Sequence, residues 1–159
     1  MSGTVYSVSE PLVAGVKHFE GYYARPYLCP TGYPTIGYGH VIKSSEKETL
    51  THLTEPEATA LLRKDLNEAL KDALRIMPGL AKSQQQLDAI TSWVFNLGAT
   101  NLQNSTLKKL YVSGHHDQAA AEITRWVYGK VNGKMVQLPG LVRRRAWEKK
   151  VFLDGNYTL

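Results

Sequence analysis

The chain has 159 residues, enough for one domain or for two small lobes that share a core. Hydrophobic residues make up 43% of it and charged residues 21%, which is typical of a folded globular domain and excludes a disordered chain. The formal net charge is +5. The single cysteine, Cys29, excludes an internal disulfide and any metal site built from several cysteines.

The positive charge lies in the second half of the chain. Residues 1–80 carry 8 basic and 9 acidic side chains, whereas residues 81–159 carry 11 and 5. This half should suit a polyanion such as nucleic acid, an anionic membrane or an acidic cell-wall polymer. No segment reaches the roughly 18 consecutive apolar residues of a spanning helix. The first 16 residues also lack the basic start of a signal peptide, so we expect accumulation in the cytoplasm without stable membrane insertion.

The first predicted helix begins near Ser9, which can cap it, and stops at Gly21. Glu20 then lies at its C-terminal end. Residues 22–42 are rich in tyrosine, proline and glycine, which predicts a hairpin or a three-stranded sheet and no helix of normal length. If the first turn centres on Gly32, Cys29 and Thr35 become near cross-strand neighbours.

From residue 54 onward the pattern is mainly helical. Thr54 and Glu57 form a capping box that predicts a long helix over about 55–77. Further helices are predicted over about 83–98, 105–112, 117–128 and 140–153, and Asn132-Gly133 predicts a hairpin. The predicted fold class is therefore α+β. A small sheet-bearing lobe at about 22–55 and a larger helical lobe, formed by about 78–159 with 1–20, would flank a substrate cleft.

Glu20 is the strongest candidate for chemistry. The C-terminal end of a helix disfavours negative charge, and burial beside Phe19 or nearby tyrosines acts in the same direction. A carboxylic acid that stays protonated near neutral pH is what a glycosidase needs to protonate a leaving sugar oxygen. By position alone, a solvated glutamate at a helix end is the better interpretation, and only the surrounding motif reverses that preference.

Three separated motifs carry a family resemblance. Glu20 is followed nine residues later by Cys29 and six residues beyond that by Thr35, which opens the run Thr35-Ile36-Gly37-Tyr38-Gly39-His40. Downstream stand Trp93-Val94-Phe95-Asn96-Leu97-Gly98 and Pro139-Gly140-Leu141-Val142-Arg143-Arg144-Arg145-Ala146-Trp147-Glu148. In spacing and order, the chain resembles the phage-type lysozymes (endolysins) of glycoside hydrolase family 24. The resemblance spans most of the chain and implies one lysozyme-like catalytic domain over residues 1–159.

The resemblance also implies an activity. A muramidase of this kind hydrolyses the β-1,4 bond between N-acetylmuramic acid and N-acetylglucosamine in peptidoglycan during host lysis. Glu20 would be the general acid, and Thr35 would help to place a water molecule. The family accepts Asp or Cys at the position of Cys29, which leaves its role open among nucleophile, base and water-positioning group. Without the motif, a lone cysteine would read as a small buried hydrophobic residue.

Several other residues receive supporting assignments. His40 is expected to pair with an acidic residue of the long helix, namely Asp65, Glu68 or Asp72. The resemblance implies that one arginine faces Glu20. Arg144 is favoured because it can also pair with Glu148 at i+4, although Arg143 and Arg145 stay open. The expected substrate contacts are Phe95, Thr106 and Tyr38. No second histidine lies at metal-ligand spacing from His40, and His115-His116 reads as a polar turn, so we expect no metal and no cofactor.

The resemblance implies that the partner is the glycan strand of peptidoglycan, reached through a holin-formed hole in the inner membrane, and we expect a monomer. Nucleic acid is not expected, because the lysines and arginines are scattered over several elements. A catalytically weak wall-binding module is the main alternative. A cysteine hydrolase that uses Cys29 with His40 has little support from the motif around Glu20. Hydrolase or transglycosylase products, inversion or retention, and host range stay open.

Overall fold

The computed structural model describes residues 6–30 and 32–159 and is mainly helical, with two small antiparallel sheets. The predicted α+β fold class is confirmed. The helices and strands, in chain order, are α1 Glu10–Glu20, β1 Tyr23–Leu28, β2 Pro34–Gly37, β3 His40–Val41, α2 Glu55–Ile76, α3 Gln84–Leu97, α4 Ala99–Gln103, α5 Thr106–Val112, α6 His116–Ile123, β4 Tyr128–Val131, β5 Lys134–Gln137 and α7 Pro139–Asp154. Two 3-10 turns, Ser44–Glu46 and Pro78–Lys82, flank α2.

The two ends of α1 are set by local sequence. The Ser9 hydroxyl accepts a hydrogen bond from the backbone N–H of Leu12, which satisfies one of the free N–H groups of the first turn. Gly21 has a φ of +73° and donates its N–H to the carbonyl of Lys17, which closes the helix. Both predicted ends are confirmed, and Glu20 is therefore the last residue of α1.

The first sheet has three strands in the order β1-β2-β3, so the larger of the two predicted arrangements is correct. Tyr27 lies directly opposite Thr35, and Tyr23 lies opposite Gly37 across an irregular stretch of β1. Cys29 comes just after β1, where its N–H donates to the carbonyl of Tyr33 at 3.0 Å. The direct strand partner of Thr35 is therefore Tyr27, and Cys29 is its diagonal neighbour.

Helix α2 joins this sheet to the remaining helices. Its predicted capping box is present, because Thr54 and Glu57 exchange hydrogen bonds between side chain and backbone. It contacts β2 and β3 near its start and packs along α3 and α4. The buried apolar residues of α2, the sheet and the other helices form one continuous core. No helix among the described residues combines the length and the apolarity needed to span a bilayer.

Two sequence expectations about the second half need correction. The helix predicted over about 117–128 is wrong beyond Ile123, because Tyr128 already begins β4 and pairs with Gln137 of β5. The turn of this second sheet is the predicted Asn132-Gly133 pair, and both residues have positive φ, as a tight hairpin turn requires. Helix α4 was not predicted, because its five residues are too few to show a helical repeat.

The packing of α1 against α7 depends on Gly15. A Cβ atom at Gly15 would lie 2.3 Å from Cζ2 of the Trp147 indole, which is buried and donates its Nε1–H to the carbonyl of Tyr157. Gly15→Ala is expected to lower the free energy of unfolding by about 1–3 kcal/mol through overpacking, although alanine favours a helix by about 1 kcal/mol. Urea unfolding measures this difference.

Gly140→Ala in α7 is the matched control, because the nearest atom to its added Cβ would be Nη2 of Arg143 at 3.9 Å. We expect no loss of stability there. Equal stability of the two variants would contradict the described contact between α1 and α7.

Candidate active site

Glu20 is largely buried and is held by an arginine from the opposite end of the chain. The side chain is 17% exposed, and its Oε2 accepts a hydrogen bond from Nη1 of Arg144 at 2.5 Å. Arg143 is exposed on the surface of α7. The structure therefore places Arg144 against Glu20. The sequence favoured Arg144 but left Arg143 and Arg145 open.

Arg144 is fixed by further contacts. It is 3% exposed, and its Nε and Nη2 both donate to the Ser92 hydroxyl at 3.3 Å. Its Nε lies 3.5 Å from a carboxylate oxygen of Glu148, which is the expected i+4 pair. Its guanidinium carbon lies 5.7 Å from the ring centroid of Phe95, within the range of a cation–π contact. A guanidinium held on several sides has little freedom to move when Glu20 changes its charge.

Arg145 and Glu148 extend this cluster into the core. Glu148 is fully buried, accepts a 2.6 Å hydrogen bond from Ser92, and pairs with Arg145. The Arg145 guanidinium also donates to the side chain of Asn96 and to the carbonyl of Trp126. Burial lowers the pKa of Arg145. Counted together with the pair above, the cluster holds two carboxyl groups and two guanidiniums, so its charges balance when both carboxyl groups are ionised.

Gly39, in the turn between β2 and β3, lies against the other face of the Glu20 carboxyl. A Cβ atom at this position would lie 2.5 Å from Oε1 of Glu20, and the φ of Gly39 is +78°. Only glycine satisfies both conditions without strain. The glycine of the Gly-Tyr-Gly-His run therefore lets the sheet approach Glu20 closely.

Cys29 and Thr35 meet at the peptide groups of Tyr33. The Cys29 sulfur accepts the N–H of Tyr33 at 3.4 Å, and the Tyr33 carbonyl accepts the hydroxyl of Thr35 at 2.9 Å. Thr35 is buried and Cys29 half-buried. Because the hydroxyl hydrogen of Thr35 is already donated, its oxygen can act only as an acceptor toward another group.

Tyr27 lies beside the candidate site, although the sequence analysis gave it no role. It pairs directly with Thr35 in the sheet, and its ring packs at a tilt of 31° against that of Tyr23, with centroids 4.0 Å apart. Burial, together with the charge of Glu20, raises the pKa of Tyr27 to about 12. The signal that would have found it is its position two residues before Cys29, since alternate residues of a strand share a face.

His40 joins the sheet to α2. Its Nδ1 lies 2.7 Å from a carboxylate oxygen of Asp65, and its Nε2 lies 3.0 Å from one of Glu46. The hydrogen bond with Asp65, supported by that with Glu46, raises the pKa of His40. Of the three predicted acidic partners of His40, Asp65 is the one that pairs with it, and Glu68 and Asp72 do not. The second partner, Glu46, was not predicted.

Tyr38 is buried, although the sequence suggested a substrate contact. Its hydroxyl donates to Glu55 at 2.6 Å, and the Glu55 carboxylate also accepts from Lys17 and Thr59. Burial and the contact with Glu55 raise the pKa of Tyr38 to about 12. The hydrogen bonds that Glu55 accepts, of which the one from Tyr38 has the largest effect, lower the pKa of Glu55 to about 2. Tyr38 therefore links the sheet to the start of α2, and its buried ring does not offer a surface to a sugar.

The remaining candidates lie on the helices. Phe95 is half-buried in α3 beneath Arg144, and Thr106 is the exposed first residue of α5. His115 occupies the N-cap position of α6 without a capping hydrogen bond to its side chain, while His116 begins that helix and stacks on Tyr111. Over residues 6–30 and 32–159, no three His, Cys, Asp or Glu side chains are grouped so as to hold a metal ion.

Comparison with known proteins agrees with this geometry. The phage lysozyme family model matches residues 17–148. The chain belongs to the phage lysozyme family. The endolysin of Acyrthosiphon pisum secondary endosymbiont phage 1 is 37% identical over 145 residues, which cover 91% of this chain and 97% of that protein. The endolysin of Bacillus phage B103 is 34% identical over 94% of this chain, which spans 55% of that longer protein.

Solved structures of similar proteins support membership of this lysozyme family. The muramidase domain of SpmX from Asticaccaulis excentricus superposes with a TM-score of 0.78 at 31% identity, covering 94% of this chain and 99% of that one. The endolysin from Escherichia coli O157:H7 phage FAHEc1 gives a TM-score of 0.80 at 27% identity, covering 100% of both chains. The chain is accordingly a lysozyme. The first and third sequence motifs supply Gly39 and Arg144 beside Glu20, and Phe95 of the second motif lies against Arg144.

The contact between Glu20 and Gly39 predicts a selective loss of lysozyme activity. Gly39→Ala should displace the Glu20 carboxyl and lower activity by about 100-fold, the scale expected for a misplacement of about 1 Å in an active site. The control is Gly114→Ala, because Gly114 also has a positive φ, +86°, but has open space around it. Specific activity and thermal unfolding are measured on both variants, and an equal loss of activity in the two would contradict the role of this contact.

The buried cluster predicts a large difference between two adjacent arginines. Arg144→Ala leaves Glu20 and Glu148 without this guanidinium and should lower the free energy of unfolding by about 3–5 kcal/mol. Arg143→Ala removes an exposed neighbour and should change it by less than about 0.5 kcal/mol. Urea unfolding measures both, and comparable effects at the two positions would refute the described network.

Proposed function

We propose that this lysozyme hydrolyses the β-1,4 bond between N-acetylmuramic acid and N-acetylglucosamine in peptidoglycan, with Glu20 as the general acid. The observation that carries the proposal is the carboxyl of Glu20, fixed by Arg144 on one side and by Gly39 on the other. A carboxyl in a fixed, largely buried position can meet a glycosidic oxygen with little reorganisation. The names of the similar proteins, endolysin and muramidase, favour the same activity.

The two oxygens of Glu20 receive different tasks in this proposal. Oε2 accepts the Arg144 N–H, so it serves as the carbonyl oxygen of the protonated acid. Oε1 then carries the proton and transfers it to the leaving sugar oxygen as the glycosidic bond breaks. Arg144 keeps this arrangement before and after transfer, because its own position is fixed by Ser92 and Glu148.

Cys29 and Thr35 are proposed to position the attacking water. The Thr35 oxygen can accept but not donate, since its hydrogen is engaged by the Tyr33 carbonyl. The Cys29 sulfur also accepts, as its contact with the Tyr33 N–H illustrates. A water that donates one hydrogen to each would turn an oxygen lone pair toward the anomeric carbon. As the new C–O bond forms, the proton lost by this water passes to solvent, and Glu20 takes up a proton from solvent for the next turnover. Phe95 and Thr106 are proposed to contact the sugar chain in a cleft between a sheet-bearing lobe and a helical lobe.

The endolysin names of the similar proteins favour a biological role for this activity. We assign the chain to host lysis as a monomeric, single-domain endolysin that is released through a holin-formed hole in the inner membrane. Its substrate is then the glycan strand of the periplasmic cell wall.

The decisive test is the rate at which turbidity falls in a suspension of permeabilised Gram-negative cells. Glu20→Gln should reduce the rate by about 100- to 10,000-fold, the usual contribution of a general acid. Glu10→Gln is the matched control, because Glu10 lies on the same helix but is exposed and pairs with Arg63. If Glu20→Gln clears cells as fast as the parent chain, the hydrolytic proposal fails and a wall-binding module becomes the better account.

The role of Cys29 is tested separately in the same assay. If Cys29 orders water, both Cys29→Asp and Cys29→Ser should retain activity within about tenfold, because carboxylate and hydroxyl oxygens also accept hydrogen bonds. Loss of activity in Cys29→Ser together with a trapped covalent sugar on the parent protein would instead establish a nucleophile. Reducing ends among the products support hydrolysis, and anhydro ends would indicate a transglycosylase.

A further inference from the structure

The hairpin formed by β4 and β5, called the ribbon below, stands apart from the core. Every residue of β5 is exposed, and in β4 only Gly129 is buried. The base of the ribbon is closed by the Leu138 N–H, which donates to the carbonyl of Val127. Beyond that base, within the described part of the chain, the two strands pair with each other and make only marginal contacts with other elements. A two-stranded ribbon alone is only marginally stable in water, so contact with a partner surface would stabilise it.

Apolar side chains lie on both faces of the ribbon. Met135 is 64% exposed and lies opposite Lys130, on the same face as Tyr128, which is 56% exposed. Val136 is 38% exposed and lies on the other face, as does Lys134. Each face therefore combines an exposed apolar side chain with one lysine.

The surrounding sequence is cationic. Residues 123–147 contain no aspartate or glutamate, but six lysines and arginines. Arg144 and Arg145 are buried in the cluster around Glu148, and Arg125 pairs with Glu122. The other three cations are exposed and make no ion pair with any residue that the structure describes: Lys130, Lys134 and Arg143.

We propose that the ribbon is a docking surface for an anionic phospholipid bilayer. Lysines attract the surface of an anionic leaflet, while apolar side chains enter the boundary between headgroups and acyl chains. Tyr128 adds a ring with a polar tip, which suits the same boundary. Because Met135 and Val136 point to opposite faces, a ribbon inserted between headgroups removes both from water, whereas a rod-like glycan strand would cover only one.

Vesicle co-sedimentation tests this surface without reference to hydrolysis. The full chain should bind phosphatidylglycerol vesicles and bind phosphatidylcholine vesicles far more weakly. Lys130→Glu/Lys134→Glu should weaken binding at least about tenfold, because it removes the two cations that face the anionic surface. Met135→Ser/Val136→Ser should weaken binding by a similar factor, because it removes the two apolar side chains that would enter the boundary between headgroups and acyl chains. Lys64→Glu/Lys71→Glu is the control, because both lysines are exposed on α2 and the change of charge is identical.

Three results of the binding assays would overturn the proposal. One is binding that the ribbon variants leave unchanged, and another is an equal loss in the α2 control. The third is a loss of binding to purified peptidoglycan sacculi without a loss of binding to vesicles, which would make the cell wall the occupant. Met135→Trp gives an independent readout that keeps the turn intact: its fluorescence should shift to shorter wavelength, relative to the parent chain, when phosphatidylglycerol vesicles are added. An unshifted spectrum would also reject insertion.

Discussion

The buried hydrogen bond between the Arg144 guanidinium and the Glu20 carboxyl is the interaction on which the site depends. It joins Glu20, the last residue of α1, to Arg144 of α7, which stands 124 positions later in the sequence. Removing charges from water is costly, and the structure offsets that cost by balancing charge: Glu148 lies against both Arg144 and Arg145. The same cluster thus holds the helices together and fixes the orientation of the Glu20 carboxyl.

A second constraint comes from the sheet. Gly39 must lack a side chain for the turn between β2 and β3 to reach Glu20, and His40 then fastens that turn to Asp65 of α2. The approach of Gly39 and the anchoring of His40 therefore act together. Cys29 and Thr35 are kept near each other by the peptide groups of Tyr33, so their relative position depends on backbone geometry as much as on side-chain packing.

Elements with a local cause could be predicted from the sequence. The cap at Ser9, the capping box at Thr54 and the Asn132-Gly133 turn each depend on residues within a few positions, and all are present. Helix α6 shows where local reasoning ended: the pattern predicted a helix to about residue 128, but the helix ends at Ile123, and Tyr128 pairs with Gln137 of β5. The five-residue α4 left no periodic signal at all.

By itself, the sequence determined the fold class, the ends of the main helices and the family motif around Glu20, because these follow from short-range patterns. Only the tertiary structure decided which of three consecutive arginines faces Glu20, that Glu46 joins Asp65 at His40, and that Tyr27 lies beside Thr35. The exposure of both ribbon faces was likewise decided only there. These are contacts between distant segments, and their geometry is set by the relative placement of helices and strands, which a local pattern does not encode.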